Sequence, residues 1–151
     1  MNALAELITP NNIVLDIEAS TQKELFAFIG DLFEKNIGIS AKVVQTCLEA
    51  RESLGSTGLG EGIAIPHGRV KDLPEAHLGF VRLTNGIDFN APDGKLVKTL
   101  VIMLVPEQAT QIHLEILSQV AQILSDTNTK KILLTETDPD NIYQLLTAWN
   151  K

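Results

Sequence analysis

The amino-acid sequence predicts a layered α/β domain built on a mixed sheet. Strand-like and helix-like segments interleave along the chain, with no repeat and no low-complexity stretch, which is the pattern of packed α and β layers. Residues 100–105 read Leu-Val-Ile-Met-Leu-Val without a polar side chain, as expected of a central strand covered on both faces. Asn85-Gly86 lies between two apolar stretches and is a hairpin signal, which favours a mixed sheet over a purely parallel one.

Taken in order, Ile13-Val14-Leu15 reads as a short first strand. Thr21 opens a helix, and Glu24 three residues on completes a capping-box pattern. Leu25, Phe28, Ile29, Leu32 and Phe33 then recur at helical spacing and give it one buried face. Gly38 ends that helix. Ser40 is placed to cap a second, running to about Glu52, with Val43, Val44, Cys47 and Leu48 as the inner stripe. Gly55, Gly58, Gly60 and Gly62 are too dense for a helix and read as a loop. Ile63-Ala64-Ile65 is a short strand closed by a turn at Pro66-His67-Gly68. Residues 78–84 alternate weakly as a strand, with a turn at Asn85-Gly86 and another at Pro92-Asp93-Gly94 before a strand over 96–105. A helix from Thr110 to about Ser125 buries Ile116, Leu117, Val120, Ala121 and Leu124, with His113 on the same stripe. A shorter helix near 130–134 follows. The last opens with Asp138 as cap and Pro139 in its first turn, and repeats Ile142, Leu145, Leu146 and Trp149 at helical spacing.

A chain of 151 residues is one domain's worth, so a single domain over 1–151 is expected. Hydrophobic residues make up 44% and charged residues 21%, an ordinary globular composition. Lys plus Arg is 12 against 19 Asp plus Glu, a net charge of −7, which argues against a nucleic-acid partner. The start, Met1-Asn2-Ala3-Leu4-Ala5-Glu6, lacks the basic region of a signal peptide. The longest apolar run falls far short of the ~20 residues that cross a bilayer. Cys47 is the single cysteine and has no internal partner for a disulfide. A cytoplasmic protein without membrane insertion is expected.

The glycine cluster invites a nucleotide reading that its spacing refuses. A Walker loop needs Lys and Ser or Thr after its last glycine, and here Gly60 is followed by Glu61. A dinucleotide fingerprint needs a third glycine where Ile63 stands. Such a loop can still form a nest of backbone N–H groups for phosphoryl oxygens, with Ser56 and Thr57 adding hydroxyls, or it can be a plain surface turn.

His67 follows Pro66, whose ring stiffens the chain, and precedes Gly68, which frees it to turn. It stands at a strand end, close in sequence to the glycines and to Arg51. A neutral imidazole is a competent nucleophile towards phosphorus. His113 falls in the first turn of a helix just past the carboxyl end of the apolar strand, the edge at which open α/β sheets bind ligands. That position suits donation of an N–H to a phosphoryl oxygen, and equally suits a histidine satisfied by a backbone carbonyl. His77 begins a strand without a partner pattern and reads as surface. No His-x-His, His-Glu-x-x-His or cysteine cluster is present, so no metal site is expected.

The stretch 51–68, Arg51-Glu-Ser-Leu-Gly-Ser56-Thr57-Gly58-Leu-Gly-Glu61-Gly-Ile-Ala-Ile-Pro66-His67-Gly68, resembles the phosphorylation-site signature of fructose/mannitol-type enzyme IIA domains of the bacterial phosphoenolpyruvate-dependent phosphotransferase system. Residues 106–126, with His113-Leu-Glu-Ile-Leu, resemble the family's second signature. The similarity extends over essentially the whole chain. Leu7-Ile8-Thr9-Pro10 and Val105-Pro106 look like the nitrogen-regulatory branch, whereas Glu61 is shared with mannitol-type domains and keeps the sugar-transport branch open.

The resemblance implies a mixed sheet of about five strands with helices on both faces. It also implies His67 as the phosphorylated nucleophile, His113 as the second active-site histidine, and Arg51, Ser56, Thr57 and Gly58 about the phosphoryl group. The donor would be a histidine phosphocarrier protein, the targets regulated partner proteins, and neither a metal nor another cofactor is called for. The alternatives are a sugar-specific IIA that hands phosphate to a IIB domain, and a binding module that has kept the fold without the chemistry.

Overall fold

The computed structural model describes residues 2–108 and 110–149, so Met1, Ala109, Asn150 and Lys151 of the expected domain lie outside the described residues. Six strands form one mixed sheet: β1 (Ile8–Ile17), β2 (Gly58–Gly60), β3 (Ile63–Ala64), β4 (His67–Val70), β5 (His77–Ile87) and β6 (Val97–Pro106). The helices are α1 (Gln22–Ile37), α2 (Ala41–Glu52), α3 (Gln111–Ser125), α4 (Thr127–Thr135) and α5 (Pro139–Ala148). Strand order is β1-β5-β6-β3-β2, and β4 pairs with β6 beyond the end of β3. The β5–β6 pair is antiparallel, whereas β1–β5, β3–β6 and β4–β6 are parallel.

The strand β6 is central and its side chains alternate between two cores. Val101, Met103 and Val105 pack with Ile116, Val120, Leu133 and Ile142 from α3, α4 and α5. Leu100, Ile102 and Leu104 pack with Leu25, Phe26, Ile29, Phe33, Val44 and Leu48 from α1 and α2. Helices therefore cover both faces, as expected. Each Leu or Phe buried this way contributes about 1.5–3 kcal/mol, which explains why the apolar periodicity dictated these helices.

The caps follow the sequence with one substitution. Thr21 Oγ1 accepts from the Glu24 amide at 3.1 Å, and Gly38 closes α1 in the left-handed conformation with φ of 85°. Ser40 stands at the cap position of α2 but makes no side-chain bond there. The Ala41 amide instead donates to Glu34 Oε2 at 2.8 Å, so α1 caps α2 from across the turn. Val43 faces solvent rather than the inner stripe.

Three other expectations are corrected. Asn85-Gly86 is not a turn, because β5 runs through it to Ile87. A Cβ on Gly86 would meet the Leu96 side chain at 2.9 Å, so the glycine admits a close neighbour instead of bending the chain. The glycine loop contains β2, whose Gly58 and Gly60 pair with Ala64 and Ile63. Glu61 and Gly62 form the connecting turn with φ of 57° and 83°, the left-handed pair of a two-residue hairpin. Finally, His67 and Gly68 are strand rather than turn, since β4 pairs along β6 with His67 opposite Met103. With β2 and β4 added to the four segments predicted as strands, the sheet has six strands, against the about five that the resemblance implied.

Candidate functional site

A cleft of about 390 Å³ opens where β4, the carboxyl half of β6, the end of α2 and the start of α3 converge. Arg51, Leu54, His67, Arg69, His113 and Leu114 are among its lining residues, with Gly68, Met103, Val105 and Leu117 completing it. The three side chains singled out above, His67, His113 and Arg51, thus meet although up to 62 positions (113 − 51) separate them.

His67 is half-buried and its Nδ1 lies 2.8 Å from the carbonyl oxygen of Ile65. A carbonyl only accepts, so Nδ1 carries the proton, and the lone pair of the neutral ring is on Nε2. The supporting backbone is fixed in turn. The Ile65 amide donates to the Thr57 carbonyl at 3.0 Å, and Pro66 accepts from the Met103 amide at 3.0 Å.

His113 has the complementary arrangement. It is the third residue of α3, and the backbone N–H of Thr110 donates to its Nδ1 at 3.0 Å. A backbone amide only donates, so Nδ1 is unprotonated and the ring proton of neutral His113 sits on Nε2. The histidine fills the place that Glu or Gln takes in a capping box. One ring therefore offers a lone pair and the other an N–H.

Arg51 lies in the last turn of α2, half-buried, with Nη1 donating to the Gly55 carbonyl at 2.8 Å. That tether orients the guanidinium, and among the described residues its remaining N–H groups have no protein acceptor.

Ser56, Thr57 and Gly58 are not among the residues lining the cleft. The Ser56 hydroxyl donates to the Phe89 carbonyl at 2.7 Å and accepts from the Gly58 amide at 3.0 Å. Thr57 is buried, and its hydroxyl and amide both donate to Glu52, at 2.7 and 2.8 Å. The Gly55 amide donates to the Glu52 carbonyl, and the Glu61 amide to Asp93, holding the Asp93 carboxyl below its usual range. Of the two readings open for this loop, a nest or a plain turn, the nest is disfavoured at the Gly55, Thr57, Gly58 and Glu61 amides, which donate to internal acceptors. Its hydroxyls hold the β2–β3 hairpin that carries Ile65, instead of reaching into the cleft.

Arg69 is the cleft residue that sequence reasoning missed. The signal was present: residues two apart on a strand share a face, so a strand through His67 places Arg69 beside it. Cys47 packs behind β4, where its Sγ donates to the Arg69 carbonyl at 3.2 Å, and burial pushes its thiol up to about 11. His77, expected at the surface, is half-buried at the start of β5, and desolvation lowers its pKa. Among the described residues no group of three metal-ligating side chains converges, and no helix is long and apolar enough to cross a membrane.

Fold and comparison agree on a class of protein: a component of a phosphotransferase system. The family profile described as "Phosphoenolpyruvate-dependent sugar phosphotransferase system, EIIA 2" matches residues 6–149, and the chain belongs to that family. Within it, the nitrogen regulatory protein of Pseudomonas aeruginosa is 33% identical over 147 residues, covering 97% of this chain and 96% of its own. The crystal structure of nitrogen regulatory protein IIA-Ntr from Neisseria meningitidis superposes with a TM-score of 0.91 at 42% identity, covering 97% of this chain and all of that one. The mannitol IIA of Escherichia coli superposes with a TM-score of 0.76 at 26% identity, covering 91% and 97%.

Proposed function

We propose that this IIA protein is a nitrogen-regulatory phosphocarrier, which takes a phosphoryl group onto Nε2 of His67 from a histidine phosphocarrier protein and selects partner proteins by its phosphorylation state. The observation that carries the proposal is the pair of opposite tautomers on one cleft. His67 Nε2 is the nucleophile, held by the Ile65 carbonyl, and His113 Nε2–H is a donor, held by the Thr110 amide.

In the step, the Nε2 lone pair forms a new N–P bond while the N–P bond of the donor's phosphohistidine breaks and its electron pair returns to the donor ring. No proton moves, because Nδ1–H of His67 stays on Ile65, and that hydrogen bond supports the positive charge the ring acquires. Phosphoryl transfer asks chiefly for positioning and charge stabilisation. His113 and Arg51 supply these at the phosphoryl oxygens, and Ser56, Thr57 and Gly58 act one step back by fixing the hairpin. A phosphoramidate keeps a high transfer potential, so the group can pass back or onward. Leu54 and Leu114, 84% and 57% exposed on the cleft rim, offer an apolar contact to an approaching protein.

Similarity to nitrogen regulatory relatives supports the regulatory reading over transfer to a sugar-transport IIB domain. The test is incubation with phosphoenolpyruvate, enzyme I and a histidine phosphocarrier, followed by intact mass. One acid-labile phosphoryl group is expected on the wild type and none on His67→Ala. Phosphate retained by His67→Ala would reject the assignment.

A further inference from the structure

We propose that Arg69 is the counter-cation of phosphorylated His67 and sets how far the phosphoryl group lies towards this protein at equilibrium with its donor, an inference that rests on the phosphocarrier reading. His67 and Arg69 are alternate residues of β4, so their side chains leave the same face, while Gly68 and Val70 turn to the buried side. Both line the cleft. Among the described residues Arg69 has no carboxylate partner, the ion pair present being Lys130 with Glu61.

The Arg69 backbone is also held from two sides. It pairs in register with Val105 of β6, and its carbonyl accepts from the Cys47 thiol at 3.2 Å. Arg51 by comparison commits one donor to Gly55. Arg69 therefore presents a guanidinium fork that has no hydrogen-bond acceptor among the described residues, two residues from the nucleophile, on a strand paired in register with β6. A fork of this kind matches two phosphoryl oxygens at once. Because the anion reaches Nε2 only on phosphorylation, the cation favours the phosphorylated state specifically. It makes no covalent bond and moves no proton. The N–P bond of the donor breaks and that of His67 forms whether or not Arg69 is present.

The experiment mixes the full chain with phosphorylated histidine phosphocarrier, lets exchange finish, and reads the distribution of phosphate by intact mass for wild type, Arg69→Gln and Arg69→Lys. Arg69 is exposed, so neither substitution disturbs the core. Loss of a charge-assisted hydrogen-bonding pair predicts an equilibrium constant for phosphorylation lower by about tenfold in Arg69→Gln. Arg69→Lys is expected to recover part of the loss, and added salt to shrink it. An equilibrium in Arg69→Gln within about twofold of wild type would overturn the inference even if transfer slowed, since slowing alone places Arg69 at the docking surface of the partner. No phosphate on wild-type His67 would overturn both this inference and the phosphocarrier reading, whereas phosphate with an unchanged equilibrium would overturn this inference alone.

Discussion

The proton of His67 is held by the carbonyl of a residue only two positions upstream, so which ring nitrogen keeps the lone pair is chosen by the local chain. His113 is fixed just as locally, by the amide at the start of its own helix. His113→Ala is expected to leave His67 and its tautomer intact while removing a single oxyanion donor. Transfer should slow by about 10²–10³-fold with donor binding retained, and single-turnover kinetics equal to wild type would assign His113 a structural role. Cys47 gives a second test at this scale. Its thiol is raised from 9.0 to about 11 in the folded protein, so across that interval the folded state keeps a proton that the unfolded state releases. Stability then falls as pH rises through the interval, relative to its value near neutrality. Denaturant midpoints should fall more steeply for wild type than for Cys47→Ala between 9.0 and about 11, and parallel curves would contradict this.

At the scale of elements, long periodic segments were legible and short ones were not. The cap-plus-proline start of α5 follows directly from spacing and is present. So are Leu25, Ile29 and Phe33 of the α1 stripe, whereas Phe28 and Leu32 are only half-buried and Phe26 is fully buried in the core. The strands β2 and β4 are 3 and 4 residues long and lie among glycines, so no local period announces them. They exist because each pairs outward, β2 with β3 and β4 with β6. Glycine permits the bend predicted at Gly86, but there it leaves room for the Leu96 side chain. Gly68 is the most consequential case of the same kind. A Cβ there would meet Cys47 Sγ at 2.1 Å and the Cys47 carbonyl oxygen at 3.2 Å. Gly68→Ala should therefore cost about 1–3 kcal/mol as an overpacking substitution and lower the phosphorylation rate by displacing β4 from α2. Adding Cys47→Ala should recover part of both losses, which a double-mutant cycle by chemical denaturation measures. Additive effects would place the strain elsewhere.

Across the whole molecule, the fold brings Arg51 and His67 of the stretch 51–68 to one cleft with His113. Residue type and position pointed to the two histidines, and the resemblance pointed to Arg51. The direction of the Ser56 and Thr57 hydroxyls was not legible, because their acceptors, Phe89 and Glu52, become neighbours only once the hairpin folds. A phosphoryl group adds roughly −1.5 to −2 charges to a chain already at −7, a small global change concentrated at one cleft. With His67 pinned between Ile65 and the β6 register, a local switch at the cleft rim is expected, without rearrangement of remote helices such as α5. The most direct test is nitrogen–phosphorus correlation NMR on the phosphorylated, ¹⁵N-histidine-labelled protein. Coupling of phosphorus to Nε2 of His67, with the proton still on Nδ1, is the predicted result. Phosphorus on Nδ1 of His67, or on a ring nitrogen of His113, would contradict the tautomers on which the proposed transfer depends.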